Sequence, residues 1–177
     1  YDPEEANFYM KKAGMLGHTF NLHAADAAFA GAVDAAVLIK EQAKKAGINI
    51  NVVREPDDGY WSNVWIKKEW CMCYWGGRPV EDMMFSVAYA EDAPWNDTHW
   101  KNKRFNELLV SARAELDEDK RRKIYGEMQE ICRNDGGTVV PMYNQMVEAS
   151  SAKLAHGPIS GHMALDGMRN GERWWFA

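Results

Sequence analysis

Apolar residues recur at helical spacing in four stretches of the chain. Ala6, Tyr9, Met10 and Ala13 share one face, and Gly14 follows as a stop. Ala32, Ala35, Ala36, Ile39, Ala43 and Ala46 line a second helix, with Lys40, Lys44 and Lys45 outside and Gly47 closing it. Phe105, Leu108, Leu109, Ala112 and Leu116 line a third. Ile124, Met128, Ile131 and Cys132 line a fourth, capped by Asp117, closed by Gly136-Gly137, and carrying Arg121, Arg122, Lys123 and Glu127 on its wet face. Short runs between them predict strands over residues 19–24, 48–54, 70–75 and 138–143. A helix over residues 59–68, with Tyr60, Val64 and Lys67 along one side, links the second and third strands. Another starts at Val80 and runs toward Ala90.

Strands alternating with crossover helices predict an α/β fold with a mainly parallel sheet flanked by helices on both faces. Residues 152–177 read as an irregular Gly-rich tail, its late Trp174-Trp175-Phe176 cluster a strap across another lobe or a partner. At the other end, Asp2 as N-cap, Pro3 at the first helical position and Glu5 make a capping box of the Asp-x-x-Glu kind. A native chain rarely opens on such a cap, and the expectation is a piece of a longer polypeptide.

The length of 177 residues and 46% hydrophobic content suit one domain with a real core. No window of about eighteen apolar residues occurs, the length a membrane-crossing helix needs. The formal charge of -5 argues against a general nucleic-acid binder, which needs a basic face. Cys71 and Cys73, two apart on a predicted strand, would face the same side. No further ligands follow at zinc-site spacing, so all three cysteines read as small hydrophobes, with at least one unpaired within the chain or bonded to another.

The search for catalytic chemistry returns little. There is no Gly-x-Ser-x-Gly, no phosphate-binding Gly-x-x-x-x-Gly-Lys-Ser/Thr and no His-Glu-x-x-His. The five histidines are scattered; His156 and His162 share the tail without carboxylate or thiol company, so no metal or cofactor is expected. Asp57-Asp58 fits a helix N-terminus. Two readings remain beside a binding role: an α/β enzyme domain whose His18 and His23 act once another segment closes over them, and an interaction module using the Trp-rich tail.

The candidate recognition element is Cys73-Tyr74-Trp75-Gly76-Gly77-Arg78, a predicted strand entering a glycine turn and then a helix. Ligands of open α/β sheets sit at the carboxyl ends of strands. Trp75 and Arg78 are the main candidates, with Gly76 and Gly77 shaping the turn. Tyr74 alternates with Trp75, and Trp61, Tyr143 and Asn144 are secondary candidates.

The opening Tyr1-Asp2-Pro3-Glu4-Glu5-Ala6 with Lys12-Ala13-Gly14, then Ala43-Lys44-Lys45-Ala46-Gly47-Ile48, then Phe105-Asn106-Glu107-Leu108-Leu109 with Ala112-Arg113-Ala114-Glu115, and last Val140-Pro141-Met142-Tyr143, occur in a telling order. In that order the chain resembles the carboxyl-terminal portion of the family 5 extracellular solute-binding proteins, the peptide- and opine-type receptors of ABC importers. The resemblance covers residues 1 to about 157. It implies one lobe of a two-lobed periplasmic binding protein of type II, closing on its ligand about a hinge. Residues 1–177 would form that single lobe, and the preceding lobe, with its signal peptide or lipid anchor, would be absent. It also implies a periplasmic or extracellular protein without catalysis, whose partners are a small solute (oligopeptide, opine, sugar-like or anionic) and an ABC permease. Peptide-binding relatives usually carry an Asp three residues after the Trp of the glycine turn, pairing with the peptide's amino terminus. Here that position is Arg78. A guanidinium repels an ammonium and suits carboxylate or phosphate, unless it simply pairs with Glu81 or Asp82.

Overall fold

The computed structural model describes residues 1–161 and 163–177. The chain divides into two compact units, Tyr1–Trp75 and Gly76–Ala177, a division the single-lobe expectation did not draw.

Unit 1 is a parallel α/β layer. Helix α1 (Pro3–Lys12) starts where the Asp2 carboxylate accepts the backbone N–H groups of Glu4 and Glu5 at 3.0 and 2.9 Å. It buries no residue completely, and Tyr9, expected on its inner face, is exposed. Strand β1 (Thr19–Ala24), helix α2 (Ala32–Ala43) and strand β2 (Asn49–Arg54) follow, with a short 3-10 turn Lys44–Ala46 after α2. The two strands pair in parallel from Thr19↔Asn49 to Ala24↔Arg54. Strand periodicity places Leu22, Ala24 and Ile50 on one face, where they meet Ala32 and Ala36 of α2 in a buried cluster with Tyr60, Val64 and Met72. On the other face the Asn51 amide donates to the Asn21 side chain at 2.9 Å. Gly47 ends the α2 arm in the left-handed region, and a Cβ there would sit 2.9 Å from the Asn7 amide, which donates to the Ala46 carbonyl.

Two expectations for unit 1 need correction. The helix over residues 59–68 contracts to α3 (Tyr60–Asn63). Beyond it the backbone N–H groups of Lys67 and Lys68 both turn back to the Val64 carbonyl, and Ile66 adopts a left-handed φ of 63°, which no right-handed helix accommodates. The strand over residues 70–75 contracts to one parallel bridge, His23↔Cys71. His23 donates to the Trp70 carbonyl at 3.0 Å and accepts from the Met72 N–H at 2.8 Å. After Ala24 the neighbouring chain bends away, with Ala28 bonded back to Ala25, so the ladder ends there. The same-side inference for Cys71 and Cys73 falls with it; the three cysteines are half-buried thiols.

Unit 2 is helical, with a small hairpin. Helix α4 (Glu81–Met84) widens into a π-type turn, Phe85–Tyr89, and is followed by α5 (Lys103–Ala114) and α6 (Glu118–Asp135). Asn102 caps α5 by accepting from the Phe105 N–H, and Asp117 caps α6 by accepting from the Lys120 N–H, each at 3.0 Å. Phe105, Leu108 and Leu109 of α5 close on Met128 of α6 and on Phe85, flanked by Ile124, Ile131, Cys132, Tyr89 and Trp100. Leu116, expected on the α5 face, lies beyond the helix end and is exposed.

The strand expected over residues 138–143 does not form; these residues belong to no helix or strand. A strand needs a neighbour's N–H and C=O groups, and among the described residues none runs beside it. The tail, expected to be irregular, pairs β3 (Leu154–His156) with β4 (Trp174–Phe176) in antiparallel register, Leu154↔Phe176. Between them lie α7 (Ala164–Met168), whose Leu165, Asp166 and Gly167 are left-handed, and α8 (Asn170–Arg173). The buried Asp166 carboxylate fastens this region. It accepts from the Ser160 N–H at 2.6 Å, the Arg173 guanidinium at 3.0 Å and the Trp174 indole at 3.2 Å. The Ser160 N–H first, with Trp174 and Arg173, holds its pKa below the usual carboxylate value.

Candidate functional site

The carboxyl edge of the unit 1 sheet is built from the segments that leave β1, β2 and the bridge at Cys71. Tyr60 fixes it. Its ring is wholly buried, and its hydroxyl donates to the Met72 carbonyl at 2.6 Å, with the His23 carbonyl 3.3 Å away. Burial, first of all, raises its pKa well beyond the usual phenol range. With Tyr60 locked to the strand ends, the next residue, Trp61, stands at the edge and meets the Tyr60 ring edge-to-face at 5.6 Å.

Around Trp61 four rings close a circuit. Trp61 contacts Tyr74 at 5.6 Å and Trp65 at 5.7 Å, and Trp65 contacts Trp75 at 6.4 Å. Tyr74 and Trp75 are chain neighbours and complete it. All these contacts are edge-to-face, the geometry the ring quadrupoles favour. Trp61 is 40% exposed and Tyr74 62%, while Trp65 and Trp75 are half-buried. Three sequence candidates, Trp61, Tyr74 and Trp75, thus gather in one place. Trp65 was missed, although its spacing of four residues from Trp61 on a helical stretch was a usable signal. Beside them the His23 imidazole Nδ1 lies 2.6 Å from a Glu55 carboxylate oxygen, and Asp57 accepts from the Ala27 N–H at 2.9 Å.

Gly76, Gly77 and Arg78 open unit 2. The glycines make no tight turn: neither has a positive φ, and residues 72–78 belong to no helix, strand or turn. Arg78 pairs with neither Glu81 nor Asp82 among the described residues. Its guanidinium Nη1 donates to the carbonyls of Gly76 at 2.8 Å and Gly77 at 3.3 Å, while Asp82 holds Arg113 in a two-point pair at 2.7 and 3.2 Å. An added Cβ at Gly76 would meet Arg78 Nη1 at 3.5 Å, an ordinary contact.

Tyr143 and Asn144 lie in exposed chain. Tyr143 lines an open cleft of about 410 Å³ in unit 2 with Tyr89, Cys132, Arg133, Thr138 and Val140; Asn144 is not part of it. Burial pushes the Cys132 thiol up to about 11 from an ordinary 9.0. The thiolate is the nucleophile, so at pH 8 Cys132 should alkylate roughly a hundredfold more slowly than an unperturbed thiol. Its rate should climb through pH 10, as read by peptide-resolved mass spectrometry after timed iodoacetamide treatment; a plateau by pH 9 contradicts this.

Two other histidines pack on aromatic rings. His18 meets Phe20 edge-to-face at 4.7 Å, and His156 lies on Trp174 at 5.1 Å with its Nδ1 2.8 Å from the Gly157 carbonyl oxygen. Residue 162, considered with His156 for a metal, lies outside the described residues. Among the described residues no group of three His, Cys, Asp or Glu side chains is placed to hold a metal ion.

No family model matches the chain, and no curated protein does. Solved structures match it well. The ABC transporter substrate binding protein CtaP from Listeria monocytogenes superposes with a TM-score of 0.67 at 18% identity, over 76% of this chain and 28% of that one. The fold is that of the ABC-transporter substrate-binding proteins. The periplasmic binding protein DppA from Helicobacter pylori, in complex with the peptide STSA, gives 0.66 at 21% identity over 77% of this chain and 28% of that one. AgaA from Agrobacterium tumefaciens R10, in complex with agropinic acid, gives 0.62 at 21% over 73% and 27%. The chain therefore spans a little over a quarter of the length of these substrate-binding proteins. The mixed α/β architecture with a parallel sheet, expected from the order of the elements, is shared with them.

Proposed function

We propose that the chain is a lobe of the substrate-binding component of an ABC importer, which captures a small solute outside the cytoplasmic membrane and delivers it to a membrane permease without chemical change. The observation that carries this reading is the aromatic circuit at the carboxyl edge of a parallel sheet, on a substrate-binding-protein fold. Strand ends of open α/β sheets are where ligands enter. The structures with this fold hold a peptide, agropinic acid or a nickel-histidine complex, which makes a small organic solute the natural cargo class here. In the proposed receptor a second lobe, supplied by polypeptide beyond residues 1–177, closes over the solute about a hinge. Arg78 argues against a free peptide amino terminus as the recognised group, because a guanidinium repels an ammonium.

A thermal-shift panel of short peptides, sugar acids, phosphorylated sugars and neutral oligosaccharides tests the reading. A true cargo at a hundredfold excess over its Kd stabilises by about 2.7 kcal/mol, a clear rise in Tm. Stoichiometric binding and recovery of the unchanged solute are expected; turnover to a product would instead favour an enzyme domain in which His18 and His23 act. Binding of unmodified di- or tripeptides would keep the receptor and remove the argument from Arg78.

A further inference from the structure

Two acidic groups at the carboxyl edge of unit 1 are committed within the protein. Glu55 holds His23 at 2.6 Å, and Asp57 caps the Ala27 N–H at 2.9 Å. Beside them the edge offers ring surface outward. Trp61, touched by Tyr60, Trp65 and Tyr74, is the hub, and Tyr74 is the most exposed member. Interplanar angles of 81° and 82° around Trp61 stand each neighbour's edge against a face instead of stacking the faces away. A charged group laid on ring surface loses hydration without gaining a partner there, whereas a flat apolar face gains contact with the exposed ring it lies on.

We propose that this ring circuit, held in order by Trp65, is a stacking site for an uncharged solute presenting a flat CH-rich or aromatic face. The proposal rests on the receptor reading and names its cargo chemistry. Trp65 is the positioning residue. It is half-buried, four residues from Trp61, and is the ring that joins Trp61 to Trp75, so it sets the spacing of the two arms of the circuit.

The test is a titration of the ¹⁵N-labelled chain followed by NMR of its indole N–H resonances, which number eight, assigned by single Trp→Phe replacements. The probes are cellotriose for a CH-rich face, free indole for an aromatic one, and glucose 6-phosphate and trialanine as charged counterparts, each to millimolar concentration, where weak binding is visible. The expected result is that cellotriose or indole moves the resonances of Trp61, Trp65 and Trp75 and leaves those of Trp95 and Trp100 in place. Which of the two probes acts identifies the source of the face. Trp65→Ala should weaken that response at least tenfold, and Trp65→Phe, which keeps a ring and guards against a folding artefact, should restore most of it.

Movement of the same resonances by glucose 6-phosphate or trialanine, with the neutral probes silent, overturns the neutral-face proposal and leaves the receptor standing. An unchanged response in Trp65→Ala overturns the positioning role. Silence to all four probes overturns the proposal; a silent thermal-shift panel as well would take the receptor reading with it.

Discussion

Replacing Tyr60 by Ala is expected to cost about 3–5 kcal/mol and to disorder the ring circuit of unit 1 at the same time. The side chain is completely buried, packs in the cluster with Leu22, Ile50 and Met72, and ties the strand ends together through its hydroxyl. Removing the ring opens a cavity under Trp61 and releases the Met72 carbonyl. Near-UV circular dichroism, dominated by ordered aromatic rings, should fall along with the urea midpoint. Tyr60→Phe separates the two roles: the ring stays, one buried acceptor loses its donor, and the cost drops to about 1–3 kcal/mol with the near-UV signal kept. A Tyr60→Ala protein with wild-type near-UV ellipticity would show that the circuit does not hang on this anchor.

Tyr60 also sets an alkaline limit. Its folded pKa is raised, chiefly by burial, so its contribution is complete below the unfolded value of about 10 and is lost as pH rises toward the folded one. Above pH 10 the unfolded chain releases the proton first. Tm should therefore drop more between about pH 9 and pH 11 in the wild type than in Tyr60→Phe, which carries no such group. Tyr89 and Tyr125, raised mainly by burial as well, are present in both proteins and cancel in the comparison.

The second large effect belongs to unit 2. Phe105→Ala is expected to cost about 3–5 kcal/mol, a large share of the roughly 5–15 kcal/mol that holds a typical domain. Phe105 is 0% exposed and meets Trp100 at 5.1 Å and Phe85 at 5.2 Å, both edge-to-face. Hydrogen exchange along α5 and α6 should accelerate, and the urea midpoint should fall. Val110→Ala, on the exposed side of the same helix, should stay within about 0.5 kcal/mol. Equal effects at the two positions would mean that the α5–α6 packing is not what stabilises this unit.

Much of the architecture lay open in the order of residues. α5 and α6 carry long apolar stripes between an Asn or Asp cap and their ends, and their buried faces are the ones the spacing named. β1 and the α2 arm likewise follow from alternation, from a run of alanines at helical spacing and from Gly47. These signals are local: each residue states its preference through its nearest neighbours in sequence, and packing agrees with them. The candidate site was legible only as separate residues. Trp61, Tyr74 and Trp75 were named from the sequence, but as neighbours of a strand and a glycine turn that do not form.

What tertiary structure alone decided are the features that need a partner distant in sequence. A strand exists only where another backbone offers its N–H and C=O groups. Residues 70–75 had the composition of a strand and found β1 already bending away after Ala24, whereas the sparse tail found its partner in Trp174–Phe176. Arg78 was chemically free to seek Glu81 or Asp82; the bidentate claim of Arg113 on Asp82 and the nearness of two glycine carbonyls settled where it went. The ring circuit needed the same long reach, because Trp61 and Tyr74 meet only when Tyr60 fastens α3 to the carbonyls of His23 and Met72. The long helices α2, α5 and α6 and their buried faces were legible because they depend on residues three or four apart. The pairings of strands and charges, and of rings far apart in the chain such as Trp61 and Tyr74, depend on what folding brings within hydrogen-bond or van der Waals reach, and no local pattern encodes that.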